Sequence, residues 1–415
     1  MKVLIGIVGT AENERLFILD NGKPILETTN WKNPEKMFGN YLILKQHLSK
    51  INDESMKGPG VFKFRYGPVT AGVREAGCFY LYTYGEKILR ATIDISWKQR
   101  GIAKAMVDKS PETALTMAER ICSNFALSHS VAFSRAVEMA VDISPSLQTK
   151  NWRTLLIESE RIYNHLYVIY KLASAAAQKV LAAHLSALFE EALRLNERLS
   201  GSRYLMNINS LGKLNHIPEI SNIEKIANKY LAVAKQFTEL YKHSLKNYNY
   251  LDRLHSAGTL TAEQAEGLGL TGPTLRACGV VDDLNDTTEH LISLPVITQK
   301  EGDALARMEV RAEEIVNSCH YLADHLRASD SWYDANENNT KSHNTTGTGY
   351  AIVNSPSGAM GYYVEVNNNK MQRVEIFTPS YPGMYAVSQG LEDLIFTDFP
   401  FVFESFGVHF ADAAI

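Results

Sequence analysis

The stretch from Ser110 to Gly201 constrains this chain more than any other feature, because it is built almost continuously from helix formers with an apolar period near 3.6. Ser110-Pro111-Glu112 supplies an N-cap, a proline at the first helical position and an early carboxylate, predicting a helix from there to about Val141. Ser144-Pro145 opens a second, which LLIESERIYNHLYVIYKLASAAAQKVLAAHLSALFEEALRLNERL carries to Gly201. Two more are predicted, from Pro218 to Leu254 and from Glu301 to Ala328. Helices this long pack lengthwise as a bundle.

Strands flank them. MKVLIGIVG and RLFILDNGKPIL alternate around an Asn21-Gly22 turn, and a short helix is predicted from Tyr41 to Leu48. After the Lys57-Gly58-Pro59-Gly60 turn, FKFRYG and CFYLYTYGEKILRATIDI predict a second small sheet turning at Gly85-Glu86. GYAIVNS, GYYVEV and QRVEIFTPS predict a third, after a polar loop over residues 330–349, and a helix is predicted from Val387 before the apolar run FPFVFESFGVHF. The class is α+β: a long-helix bundle with small antiparallel sheets, divided into a small α+β appendage over 1–60 and a main domain over 61–415.

Of the 415 residues, 45% are hydrophobic and 21% charged, as in ordinary folded chains, and the net charge of -4 with no Lys/Arg cluster argues against nucleic acid. Cys78, Cys122, Cys278 and Cys319 have neither metal-finger nor redox-motif spacing, which suits a reducing compartment. Residues 1–9 read as a strand rather than a leader, and no run of 18 apolar residues occurs, so a membrane role would depend on partner subunits. Gly347-Thr348-Gly349 is too short for a nucleotide loop, and His165, His184 and His243 lack a second ligand at i+4. Asp303, Arg307, Arg311 and Glu314 fall on one helical stripe and read as an ion-pair ladder.

The segment ERICSNFALSHSVAFSRAVE, residues 119–138, resembles the R-I-C-G-I-C-S-x-x-H motif of nickel-iron hydrogenase large subunits. Arg120, Cys122, His129 and Ala136-Val137-Glu138 match, and Phe125 stands where the second cysteine belongs. Helical spacing is predicted to put Cys122, Phe125 and His129 on one stripe. VREAGCFYLY, WKQRGIAKAM, SGSRYLMNINSLGK, LTGPTLRACGVVDDLN and EGDALARMEVRAEEI resemble further segments of that family in the family's order. The resemblance implies that Glu75 occupies the proton-relay position and Cys78 that of a histidine. Near the C-terminus, where the family has D-P-C-x-x-C, this chain has Gly407-Val408-His409-Phe410-Ala411-Asp412, and Ser357 stands at an active-site arginine. One thiolate with one His and one carboxylate does not supply the soft ligands of a nickel-iron centre.

The complex I 49 kDa subunit, the NADH:quinone oxidoreductase relative that lacks the metals, is an equally good resemblance. Its quinone-contacting histidine and tyrosine correspond to Thr70 and Met117, so both donors are absent. The pattern of losses resembles most the group 4-like, formate hydrogenlyase type of energy-converting large subunits. That implies an oxidoreductase subunit coupling electron transfer to ion translocation, an iron-sulfur cluster in a small partner subunit, antiporter-like and anchor subunits in the membrane, and a place on the cytoplasmic face. Glu75, Cys122, His129, His409 and Asp412 are the candidate remodelled cavity. A bound quinone, a mononuclear zinc or iron on Cys122, His409 and Asp412, a cavity filled by Phe125, and a non-redox coupling or scaffold role are the alternatives.

Overall fold

The computed structural model of the chain describes residues 2–9, 13–28, 34–40, 44, 56–69, 75–216, 223–282, 284, 294–328 and 344–415. The predicted helix over 41–48 falls almost wholly outside them, as does most of the predicted loop over 330–349.

Three strands open the chain: β1 (Lys2–Val8), β2 (Arg15–Asp20) and β3 (Lys23–Thr28), antiparallel in the order β1-β2-β3. Asn21 and Gly22 both take positive φ, which lets two residues close the β2–β3 hairpin. β4 (Val61–Tyr66), β5 (Cys78–Tyr84) and β6 (Lys87–Asp94) form the second sheet, also in sequence order. Then come the helices α1 (Pro111–Ala118), α2 (Ala126–Val141), α3 (Leu147–Ala175) and α4 (Lys179–Ser200). The two-residue strands β7 (Asn209–Ser210) and β8 (Lys213–Leu214) follow, then the long helices α5 (Ile223–Ser244) and α6 (Ala304–Ala328). The third sheet, ordered β11-β10-β9, consists of β9 (Gly347–Ser355), β10 (Gly358–Asn367) and β11 (Lys370–Phe377). The chain closes with α7 (Ser380–Gly390), α8 (Phe399–Ser405) and α9 (Phe410–Ala413).

α3 is buried around almost its whole circumference from Asn151 to Ile169, with α4, α6 and α8 packed on it. It is the axis of the bundle. The face of α2 away from α3 lies flat on β9 and β10. Gly347 and Gly349 make that approach possible: a Cβ on either would collide with the carbonyl oxygen of Ala140 or Ala136. The N-terminal sheet shares a buried cluster with the third sheet, in which Val3, Val8 and Phe17 meet Ile352, Tyr363 and Phe377.

Several predicted boundaries differ. The helix from Ser110 does not run to Val141; it stops at Ala118, Cys122 takes extended backbone, and a 3-10 turn over Ser123–Phe125 precedes α2. The stripe predicted for Cys122, Phe125 and His129 is therefore not helical at its first two members. The break has tertiary causes, since Arg100 takes the carbonyls of Arg120 and Ile121 while Glu160 takes the N–H groups of Leu127 and Ser128. The helix predicted through to Gly201 reverses at Ala177, which takes φ 62, and becomes the antiparallel pair α3–α4. Likewise the helix predicted to Leu254 is interrupted by Asn247, which caps a separate turn at Tyr248–Leu254. α7 begins at Ser380, ahead of the predicted Val387, and the apolar run after it is itself helical in α8.

Asp303, Arg307, Arg311 and Glu314 are buried and do not pair along their own helix. Arg307 donates to Ser405 and to the carbonyls of Gly258 and Gly302, and Arg311 donates to the carbonyls of Phe406 and Pro356. They fasten α6 to the chain's last segment. No helix among the described residues is long and apolar enough to cross a membrane.

Candidate functional site

A cleft of about 600 Å³ opens between the turn that carries Cys122, the α3–α4 hairpin and the last segment of the chain. Glu75, Cys122, Asn124, Tyr167, Tyr204 and His409 are among the residues that line it. Arg100 fixes this junction: its guanidinium donates to the Arg120 and Ile121 carbonyls at 3.4 and 2.5 Å, and to the Ala411 carbonyl at 2.6 Å. The strand before Cys122 and the turn after His409 are thus held by one cation.

Glu75 stands at the rim, paired with Lys98 at 3.1 Å, while its Oε2 is buried with no hydrogen-bond partner among the described residues. Cys122 is 8% exposed. Burial, then the nearby Asp412 carboxylate, push its thiol pKa well above the ordinary value, so the sulfur is held as a thiol. His409 accepts from Asn124 Nδ2 at its Nε2 (3.1 Å), and its ring stands edge-on to Phe125.

His129 and Asp412 lie beneath the cleft floor, both fully buried. Tyr362, whose burial holds its proton far above neutrality, donates to His129 Nδ1 at 2.8 Å, which leaves Nε2–H to donate to Asp412 Oδ1 at 2.9 Å. Asp412 Oδ2 is buried and unpartnered among the described residues. The arrangement is a tyrosine–histidine–carboxylate chain ending on an oxygen with spare accepting capacity beside Cys122.

The sequence-predicted residues therefore separate into two layers. Glu75, Cys122 and His409 face the cleft, and His129 with Asp412 forms the layer below. Met117 sits half-buried on α1 away from the cleft lining, and Thr70 lies outside the described residues. Cys78 is buried on β5, where Arg65 Nε donates to its sulfur at 3.4 Å. Ser357 donates to the Gly407 carbonyl at 3.1 Å, a backbone tether where the resemblance places an arginine. Glu138 is structural, bound by both Arg153 nitrogens and by Gly212 N.

Sequence reasoning missed Arg100, Tyr362, Asn124 and Glu160. Glu160 carries the most chemistry: it sits mid-α3 at the start of α2, accepts from Leu127 N, Ser128 N and the Ser128 hydroxyl, and burial raises its pKa to about 7. A glutamate inside a long run of helix formers gives no local signal of that. His165 belongs to a separate buried network behind α3. Burial lowers its pKa to about 3, so the neutral ring accepts from Arg311 and donates to Glu314 at 2.6 Å. Burial works to raise Glu314, but Arg276 and His165 outweigh it and hold the carboxylate ionised.

A nickel-iron centre does not fit these residues. Among the described residues Cys122 brings the one thiol to the cleft lining, its environment opposes the thiolate, Phe125 fills the adjacent space, and Asp412 is engaged by His129. The trio Cys122, His409 and Asp412 does not converge as a mononuclear site either, and no group of three or more His, Cys, Asp or Glu among the described residues is arranged to hold a metal ion.

A helix bundle with three small sheets, and a cleft where the Cys122 turn meets the chain's last segment, together form the arrangement that the resemblance to hydrogenase and complex I large subunits implies. The family comparisons agree: the model for the 49 kDa subunit of respiratory-chain NADH dehydrogenase matches residues 183–344, and that for nickel-dependent hydrogenase matches residues 100–260. The chain is thus similar to both families, consistent with a complex I-like subunit. An F(420)H(2) dehydrogenase subunit from Methanosarcina mazei is 26% identical, over 73% of this chain and 84% of that one. An NADH-quinone oxidoreductase subunit from Solibacter usitatus is 24% identical over 83% and 92%. Formate hydrogenlyase subunit 5 of Escherichia coli is 25% identical over 63% of this chain and 47% of that one. A chain in the structure of the membrane-bound sulfane sulfur reductase, an archaeal respiratory membrane complex, shares the fold with a TM-score of 0.78 at 22% identity, over 86% of this chain and 99% of that one.

Proposed function

We propose that the chain is the large subunit in the soluble arm of a membrane-associated oxidoreductase, passing electrons and handling protons at the Cys122 cleft while partner subunits translocate ions. The observation that carries this reading is the convergence of Glu75, Cys122 and His409 on one open cleft directly above the His129–Asp412 pair. Proton-handling groups are gathered at the place where a metal-binding relative has its ligands, without the ligands. Burial around them gives the low dielectric in which proton affinities respond strongly to a change in nearby charge.

Electrons would arrive from an iron-sulfur cluster in a small partner subunit, and antiporter-like and anchor subunits would hold the chain at the cytoplasmic face of the cell membrane. Relatives named as subunits of an F(420)H(2) dehydrogenase, an NADH-quinone oxidoreductase and a formate hydrogenlyase, and a like fold in an archaeal respiratory membrane complex, support that setting. A quinone is the alternative occupant. The cleft has the volume of a small-molecule site, is walled by aromatic rings, and offers Asn124 and His409 to orient a carbonyl, although neither Met117 nor Thr70 supplies the donor found in the complex I subunit.

The test is made on the whole complex reconstituted in vesicles, measuring acceptor reduction and ion-gradient formation together for Cys122→Ala and His409→Ala. Loss of both activities in either variant supports the reading. Unchanged electron transfer and unchanged pumping in both would leave the scaffold role in its place.

A further inference from the structure

Glu160 is a buried ionisable group behind the cleft, with no part in the function proposed above. It approaches the Cys122 turn from behind. Its Oε1 accepts from Leu127 N at 2.7 Å and faces the Tyr163 hydroxyl at 3.4 Å, and its Oε2 accepts from Ser128 N at 3.0 Å and from the Ser128 hydroxyl. Tyr163 in turn donates to the carbonyl of Ser123, the residue after Cys122, at 2.9 Å, and its ring stands edge-on to Tyr204 in the cleft wall.

We propose that Glu160 is a proton-holding residue for the cleft, linked through the Tyr163 hydroxyl to the Ser123 carbonyl, so that its charge sets the protonation of Cys122. The hydrogen bonds have room for both states. As a carboxylate, Glu160 accepts the donors from Leu127 and Ser128 and shares the Tyr163 proton with the Ser123 carbonyl. As an acid, its O–H donates to the Tyr163 oxygen, whose own proton stays on the Ser123 carbonyl, and no other bond in the chain has to reverse. One proton is gained or lost at Glu160, and nothing else changes covalently.

Burial outweighs these donors and brings the acid's titration to about 7, the range in which a proton store is useful. The other titratable groups facing this region are Arg161 and Tyr163 from α3, Glu119 and Cys122 from the broken segment, His129 from α2, Tyr204 from the cleft wall, and Glu75 and Asp412 beside Cys122. Substitution at Glu160 alone isolates its share from theirs. The proposal deepens the reading of the cleft as the reacting site, but it is read out without turnover.

Iodoacetamide labelling of Cys122 in the intact complex, followed from pH 5.5 to 9 by peptide mass spectrometry, reports the thiolate fraction. In the wild type the rate rises with pH but flattens near pH 7 as Glu160 becomes charged. In Glu160→Gln the flattening is gone, and labelling at pH 8 is faster by about three- to tenfold, the size of effect one buried charge exerts on a neighbouring titration. In Tyr163→Phe the flattening persists but moves to higher pH, because the acid's charged form loses a donor. Infrared difference spectra of the same samples supply a second readout: a protonated carboxyl band that disappears with a midpoint near pH 7 in the wild type and is missing in Glu160→Gln. Identical labelling profiles in wild type and Glu160→Gln, or no carboxyl band titrating between pH 6 and 8, would overturn the proposal even if the cleft proves to be the reacting site.

Discussion

His129 and Asp412 lie 283 positions apart in the sequence and share a 2.9 Å hydrogen bond in a place that solvent does not reach. That bond joins the motif-bearing helix to the end of the chain. His129→Ala leaves the Asp412 carboxylate buried with both oxygens unpaired, for which a loss of roughly 3 kcal/mol is expected, since an orphaned buried charge costs more than a neutral group. Asp412→Asn keeps an acceptor for Nε2–H and should cost about 1 kcal/mol or less. Chemical denaturation of the two variants measures the difference.

Arg100 tests the junction itself. Its three carbonyl contacts clamp the Cys122 turn to the α9 turn with a single cation. Arg100→Met removes them while keeping an unbranched stem, with an expected loss of about 1–3 kcal/mol for bonds to a charged donor. Limited proteolysis should then cut near residues 409–415 first. Cleavage elsewhere at wild-type rates would argue that other contacts hold the end of the chain.

Glu160 predicts an unusual pH dependence of stability. Its folded value of about 7 lies above the ordinary 4.5, so the native state binds this proton more tightly than the unfolded chain does. The stabilisation is fully present below about pH 4.5 and is lost as pH rises through about 7, which amounts to ~3 kcal/mol for a buried carboxyl. Glu314 has the opposite sign. Its carboxylate is held ionised by Arg276 and His165, so its stabilisation is present above the ordinary carboxylate range and is lost on acidification. Denaturation from pH 2 to 8 should show Glu160→Gln abolishing the decline between about pH 4.5 and 7, and Glu314→Gln abolishing part of the decline below about pH 4.5. A common slope in all three proteins would contradict both assignments.

Phe125→Cys asks whether one missing thiol is what separates this chain from a metal-binding relative. Phe125 is fully buried against His409, so the substitution leaves a cavity and should approach the roughly 3–5 kcal/mol of a buried Phe→Ala change. No nickel should be retained on growth in nickel-supplemented medium, because the terminal thiolates are still replaced by His409 and Asp412.

Much of this architecture is legible from residue pattern alone. The 3.6 and 2.0 periods locate the long helices and the three sheets, and Asn21-Gly22 marks its hairpin because a two-residue turn needs positive φ. The breaks at residues 119–122 and at Ala177 are not legible, since good helix formers occupy both and the interruptions come from Arg100, from Glu160 and from α4 folding back on α3. The same holds for the site. Cys122, His129, His409 and Asp412 stand out through a motif resemblance, whereas Tyr362 and Glu160 acquire their roles only from what the fold places next to them. Arg307 and Arg311 look like members of a ladder because helical spacing says which residues share a face, and not which other element that face meets.

In this account the Cys122 turn and the last segment of the chain enclose one inherited cleft without the ligands for nickel and iron. Elemental analysis of the purified complex, normalised to this chain and repeated on Cys122→Ala, tests it most directly. Nickel at trace level, the same in both proteins, is the predicted result; one nickel per chain that disappears with the Cys122 thiol would contradict it.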